Sequence, residues 1–143
     1  MIDWTDEAVL VTPHFSVKDC LWLAHWGRLA DASDGLTDDL FNSLVCTCHF
    51  LEQVRALLGC PMIITSMYRP SLYSPIVGGT SSDVHTQGIA ADFTTIPWLS
   101  INDAKTILRP NLGRLDLRME ANTTDWIHID NHEIGPSGRE FIA

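Results

Sequence analysis

The sequence predicts an α+β fold, with N-terminal helices packed on a small, mainly antiparallel β-sheet, and three observations carry that prediction. Two capped stretches with helical spacing fill residues 16–59. Short β-branched or alternating runs follow at 62–65, 89–93, 115–120 and 126–130. The last two flank a turn and read as a hairpin, so helices come first and paired strands after, the order of an α+β domain rather than of alternating βαβ units.

Ser16 opens the first element as a helix cap. Asp19, three residues on, completes a variant of the capping box, and Val17, Cys20, Leu21 and Ala24 follow at helical spacing, so a helix is expected over residues 16–30. Thr37 caps the second helix, with Asp38 and Asp39 at its positive dipole end. Leu40, Leu44, Cys48, Leu51 and Val54 then mark its apolar face as far as Gly59, which makes it the longest helix and mostly core. Met62-Ile63-Ile64-Thr65 reads as a half-buried strand leading to Tyr68-Arg69-Pro70. Residues 71–84, SLYSPIVGGTSSDV, are rich in Ser, Gly and Pro without periodicity, a long loop of the kind that carries function in compact domains.

Ile89-Ala90-Ala91-Asp92-Phe93 gives the next strand, and Ser100 with Asp103 caps a short helix that Pro110 ends. Leu115, Leu117 and Met119 alternate with Asp116, Arg118 and Glu120, a strand with one wet face. A turn through residues 121–124 leads into the return strand Trp126-Ile127-His128-Ile129-Asp130. No repeat or linker interrupts residues 1–143, so a single domain is expected; the tail after Asn131 shows no pattern.

Composition narrows the function classes. Nine Lys and Arg against 18 Asp and Glu give a net charge of −9, which opposes binding to nucleic acid because phosphate contacts need clustered basic side chains. No apolar run is long enough for a membrane span, and MIDWTDEAVL is acidic where a signal peptide is basic, so synthesis without a signal peptide and no membrane partner are expected. Cys20, Cys46, Cys48 and Cys60 read as buried reduced thiols, and Cys46-Thr47-Cys48-His49 lacks the second ligand pair of a zinc ribbon.

One constellation carries chemistry. A hydrolytic zinc site takes three protein ligands from His and carboxylate side chains and leaves a position for water. His85-Thr86-Gln87-Gly88-Ile89-Ala90-Ala91-Asp92 offers two such ligands, with Gly88 permitting a tight turn between them, and His128 on the neighbouring strand offers the third. Alternation puts Trp126, His128 and Asp130 on one strand face and Ile127 and Ile129 on the other. Asp92 stands out as a carboxylate among Ala90, Ala91 and Phe93, a costly place for a charge that neither a cation nor a partner compensates. Each residue also has an ordinary reading: a lone His is commonly just hydrogen-bonded, and Asp92 has Arg69 available as a partner. His14, His25, His49 and His132 have no comparable surroundings and are read as surface or core histidines.

His-x-x-Gly-x-Ala-x-Asp at residues 85–92, followed downstream by an acidic residue, two spacers and His at 125–128, resembles the M15 family of zinc D-Ala-D-Ala peptidases. Ser66-Met67-Tyr68-Arg69 resembles that family's strand-end Ser-Gly-Tyr-Arg, and Thr12-Pro13-His14-Phe15-Ser16 resembles the opening of its phage and bacterial members. The resemblance implies that His85, Asp92 and His128 bind Zn2+ and that Asp125, where the family usually has Glu, is the general base. Strict alternation places Asp125 opposite His128, so that role requires the strand to begin after it or bulge there; Asp130, on the ligand face, is the alternative. Arg69 is the second catalytic candidate, holding either the tetrahedral oxyanion or a substrate carboxylate. Ser82, Gln87 and Trp126 are the substrate-binding candidates, with Ser82 displaced by one position from the family's Ser and Asp83 standing in its place.

The expected function is therefore hydrolysis of peptidoglycan stem peptides by a monomeric zinc peptidase acting on the cell wall after phage-mediated release. An endopeptidase cutting L-Ala-D-Glu or a cross-bridge and a D-Ala-D-Ala carboxypeptidase share this chemistry. A non-catalytic, metal-retaining module of a phage particle is the alternative from another class. A serine hydrolase built on Ser82 lacks the G-x-S-x-G elbow.

Overall fold

The computed structural model describes residues 1–142. β1 (Leu10–Thr12) and β2 (Phe15–Ser16) form a short hairpin, after which α1 (Val17–Leu21) starts on the expected capping box. The Asp19 amide donates to Ser16 Oγ (3.2 Å) and the Ser16 amide donates to Asp19 Oδ2 (2.9 Å). The helix stops at Leu21 instead of continuing to residue 30. β3 (Trp22–Leu23) and β4 (Arg28–Leu29) turn back on each other through Gly27, whose φ of 63° suits the glycine and interrupts any helix. Val17, Cys20 and Leu21 fit one helical turn, while exposed Trp22 beside buried Leu23 already has the period of a strand.

α2 (Asp38–Leu58) matches its sequence signals: the Leu40 amide donates to Thr37 Oγ1 (3.2 Å), Gly59 closes it at φ 69°, and Leu44, Cys48, Leu51 and Val54 are buried. Cys20 and Cys48 lie Sγ to Sγ at 3.4 Å as free thiols between α1 and α2. Cys46, expected to be buried, is exposed because it faces away from that seam, and His49 is exposed too. The Cys46-Thr47-Cys48-His49 segment thus spreads its side chains around the helix rather than converging on one point.

The main sheet contains β5 (Ile63–Ser66), β6 (Ala90–Thr94), β7 (Arg118–Glu120), β8 (Ile127–Asp130) and β9 (Glu140–Phe141), in the order β5-β6-β8-β7-β9. All pairs are antiparallel except β7 with β9, a parallel edge contributed by the tail that had shown no pattern. Alternation divides the sheet. Ala91, Phe93, Met119, Ile127 and Ile129 are fully buried in the core with residues of α2, of α3 (Ile101–Leu108) and of α4 (Leu112–Leu115), each large side chain contributing roughly 1.5–3 kcal/mol by leaving water. Asp92, His128, Asp130, Arg118 and Glu120 take the opposite parity and face the other way.

Three further local features place that polar face. Leu115, expected to begin a strand, ends α4 instead; Asp116 at φ 55° and a bond from the Leu117 amide to the Leu112 carbonyl (3.0 Å) close the helix before β7. The 71–84 loop contains one short helical turn, Ser74–Val77, and runs into a second, Val84–Gln87. Buried Lys105 reaches from α3 to donate to the carbonyls of Ala121 (3.2 Å) and Thr123 (2.5 Å), clamping the turn between β7 and β8. No helix among the described residues is long and apolar enough to cross a membrane.

Candidate metal centre

The β6–β8 register pairs Asp92 directly with His128, and the turn ending at Gly88 delivers His85 to the same place. Gly88 adopts φ 71°, and Thr47 of α2 donates to its carbonyl (2.7 Å), so the turn is seated on the long helix. The three sequence-predicted ligands converge: His85 Nε2, Asp92 Oδ1 and His128 Nδ1 lie within 4.8 Å of one another, and all three residues are buried. This is the one group of three or more such side chains among the described residues with that spacing.

Each ligand is anchored at its far atom. His85 Nδ1 lies 2.8 Å from the Met67 carbonyl, which can only accept, so Nδ1 carries the proton and Nε2 is directed to the cluster, 3.3 Å from Asp92 Oδ1. Arg69 Nη2 donates to Asp92 Oδ2 (3.0 Å), leaving Oδ1 toward the histidines. His128 turns Nε2 to Asp130 Oδ2 and Nδ1 to Asp92 Oδ1, both at 2.8 Å. Asp130 is wholly buried and accepts from Arg118 Nε (2.7 Å) and Nη2 (2.9 Å) and from the His132 amide (3.0 Å). With bonds accepted from His128, Arg118 and the His132 amide, Asp130 fixes the orientation of the His128 ring.

The charges are mutually dependent. Burial alone would raise the Asp92 pKa, but the His128 hydrogen bond and the neighbouring His85 imidazole outweigh it and hold the carboxyl well below the usual range. Burial likewise opposes charge on His128, yet Asp130 and Asp92 raise it to about 9. For Asp130 burial is again overcome, by His128 and Arg118, to about 2. A buried pair of carboxylates around imidazoles, with two nitrogens and one oxygen aimed at a common point and backed by Met67, Asp130 and Arg69, has the donor chemistry of a zinc site with an oriented outer shell.

The triad lines a cavity of about 610 Å³ whose walls also include Arg69, Ser82, Gln87 and Trp126, so these four sequence candidates are brought to the site. Ser82 and Gln87 are exposed at its rim. Arg69 donates through Nε to Ser66 Oγ (2.9 Å) as well as to Asp92, the pairing that the ordinary reading of Asp92 foresaw. Asp83 organises the loop: it accepts from Ser74 Oγ (2.5 Å), from the Thr80 amide (3.0 Å) and, through Oδ1, from the His85 amide (2.9 Å). Asp125 is exposed in the bend before β8, which begins at Ile127, and it is not among the residues lining the cavity.

Glu120, Arg118, His132 and Phe141 are cavity residues that the sequence reading did not assign. For Glu120 the signal was present. Arg118 pairs with Asp130 and Met119 with Ile129, and the same register carries Glu120 level with His128 on the polar face. Phe141 follows as the partner of Glu120 in β9, its ring 5.8 Å from that of His128. His132, read as having no role, borders the cavity two residues past β8.

A protein-family model described as peptidase M15 matches residues 24–130, a span that holds the triad, Arg69 and Glu120. No curated protein and no solved structure gives a match.

Proposed function

The chain belongs to the peptidase M15 family, and from that premise we propose that it is a zinc endopeptidase that hydrolyses peptide bonds in bacterial peptidoglycan. The observation that carries the metal is the convergence of His85 Nε2, Asp92 Oδ1 and His128 Nδ1, each fixed from behind by a separate partner. Zinc held by such a triad supplies Lewis acidity, bringing the acidity of a water molecule toward neutral pH and polarising the scissile carbonyl.

The chain's own residues do the rest. A carboxylate must take a proton from the attacking water and return it to the leaving amine. Two compete for that role: Asp125, which occupies the family's acidic position in the sequence, and Glu120, which lines the cavity level with His128. The geometry favours Glu120, because a base has to reach the reacting atoms and Asp125 is exposed outside the cavity wall. Arg69 fixes the charge and direction of Asp92, and its Nη1, 4.0 Å from Asp83, is the donor left for a developing oxyanion. Ser82, Gln87 and Trp126 bound the substrate at the rim.

An endopeptidase is favoured over a carboxypeptidase by how the arginines are used. Arg118 gives its whole fork to Asp130, and Arg69 spends Nε on Ser66 and Nη2 on Asp92 with only Nη1 left, so neither offers a bidentate clamp to a terminal carboxylate of substrate. A cell-wall site of action and a phage lysis role are part of the same proposal.

The test is zinc content measured together with cleavage of purified peptidoglycan, with the fragments identified by mass. About one zinc per wild-type chain, lost in His128→Ala along with turnover, is the expected result. Zinc without turnover on any wall substrate would favour a metal-retaining structural module, and a folded wild type that takes up no zinc would overturn the proposal.

A further inference from the structure

A second cleft, of about 420 Å³, adjoins the catalytic cavity. Arg69, Val77, Asp92 and Trp126 line both, so the two are lobes of one groove meeting at Asp92. Their chemistry differs. The first lobe adds Asp83, Arg118, Glu120 and His132 to the shared residues. The second adds no further carboxylate, lysine or arginine; its own walls are aromatic and small neutral side chains, chiefly Trp22, His25 and Tyr73.

That aromatic wall is built in place. The His25 amide donates to the Tyr73 hydroxyl (3.0 Å), and the Tyr73 ring, itself buried, stands edge-on to Trp26 at 4.9 Å. Trp22 and Trp126 remain open to solvent, at 38% and 39% exposure. Lys18 Nζ lies 4.9 Å from the Trp22 ring centroid, and the charged groups lining the cleft, Arg69 and Asp92, are paired with each other, so the aromatic surface left exposed in this concave site suits a neutral amphipathic ring, whose C–H face packs on an indole while its hydroxyls stay wet.

We infer that the second lobe is a sugar subsite, taking the N-acetylmuramyl residue to which the stem peptide is attached. This rests on the peptidoglycan reading and deepens it. The stem peptide carries carboxylates and amines, which match the charged first lobe, whereas the muramyl residue is neutral once its lactyl group is amide-linked. Chain length then selects the bond. An extended residue spans about 3.5 Å, so a sugar seated next to Asp92 leaves the L-Ala-D-Glu bond, one residue away, within reach of the triad, while the D-Ala-D-Ala bond lies roughly 14 Å along the stem.

The experiment uses the zinc-loaded full chain and compares kcat/KM for a disaccharide-bearing stem peptide with that for the same peptide without sugar. The ratio is expected to exceed about ten in the wild type, to fall about tenfold in Trp22→Ala and to recover in Trp22→Phe. A wild-type ratio near unity, or equal losses on both substrates in Trp22→Ala, would overturn the subsite. If neither substrate is cleaved, fluorescence titration separates the claims: sugar-dependent binding weakened by Trp22→Ala keeps the subsite and removes the peptidase reading, and no binding removes both.

Discussion

Glu120 and His128 stand level with each other on adjacent antiparallel strands, on the face of the sheet that carries Asp92 and Asp130. Opposed residues on one face of such a ladder have Cβ atoms about 4.5–5.5 Å apart, so a carboxylate on Glu120 can work beside a metal held by His128 without being a ligand of it. The expected outcome is that Glu120→Gln lowers kcat by about 10² to 10⁴ with zinc content unchanged, whereas Asp125→Asn costs less than about tenfold. Steady-state kinetics on metal-matched samples decide it, and the reverse ranking would return the role to Asp125.

Asp130 reaches the candidate metal position at one remove. It accepts from His128 Nε2 and is itself gripped by both ends of the Arg118 fork. In Asp130→Asn the ring loses its charged partner and Arg118 loses its counter-ion, so zinc affinity should weaken about 10- to 100-fold, with a lower thermal midpoint as well. Competition with a chelator of known affinity measures the first effect. Affinity unchanged in the folded variant would show that β8 alone orients His128.

Much of this arrangement was legible in the sequence, because local signals decided it. The Ser16, Thr37 and Ser100 caps, the Gly59 stop and the parity of residues 126–130 act within a few residues and survive in the fold. The triad was legible for the same reason: Asp92 was conspicuous among alanines, and the hairpin return put His128 in the next strand. The rest failed for two reasons. The parallel β9 edge and the pocketing of His132 come from contacts between distant segments, whereas the β3–β4 hairpin is a local turn at Gly27 that the helical spacing of Val17, Cys20, Leu21 and Ala24 masked. Glu120 lay between these cases, since it followed from the hairpin register once Met119 and Ile129 were paired.

The pH dependence follows from His128. Its pKa, 6.5 in an unperturbed histidine, is lowered by burial but raised more by Asp130 and Asp92, to about 9. The folded, metal-free chain therefore binds this proton more tightly than the unfolded chain, and that stabilisation is complete below about 6.5 and lost as pH rises through about 9. Zinc requires the Nδ1 lone pair and must displace the proton, so its apparent affinity should climb by up to tenfold per pH unit across the same window and then level off. Melting curves with and without zinc from pH 6.5 to 9 should show the metal-free midpoint falling while the zinc-induced increment grows. A zinc increment independent of pH would mean that His128 carries no proton to displace.

Gly79 is the loop position where a side chain is least tolerable. A Cβ there would land on the Asp83 carboxylate and the Ser74 hydroxyl and come within 3.2 Å of Arg69 Nη1. Those groups hold one another, and Asp83 in turn accepts from the His85 amide, so the clash displaces the support of a candidate metal ligand rather than an idle loop. Gly88→Ala is the informative control. Its Cβ would meet only ordinary contacts at 3.5 Å, so the cost there is the positive φ itself, about 1–2 kcal/mol. Gly79→Ala should thus weaken zinc binding about tenfold with a modest change in thermal midpoint, whereas Gly88→Ala should lower the midpoint more than it affects zinc in the folded fraction. Equal zinc affinity in wild type and Gly79→Ala would show that Asp83 is dispensable for placing His85, and that the turn seated on α2 suffices.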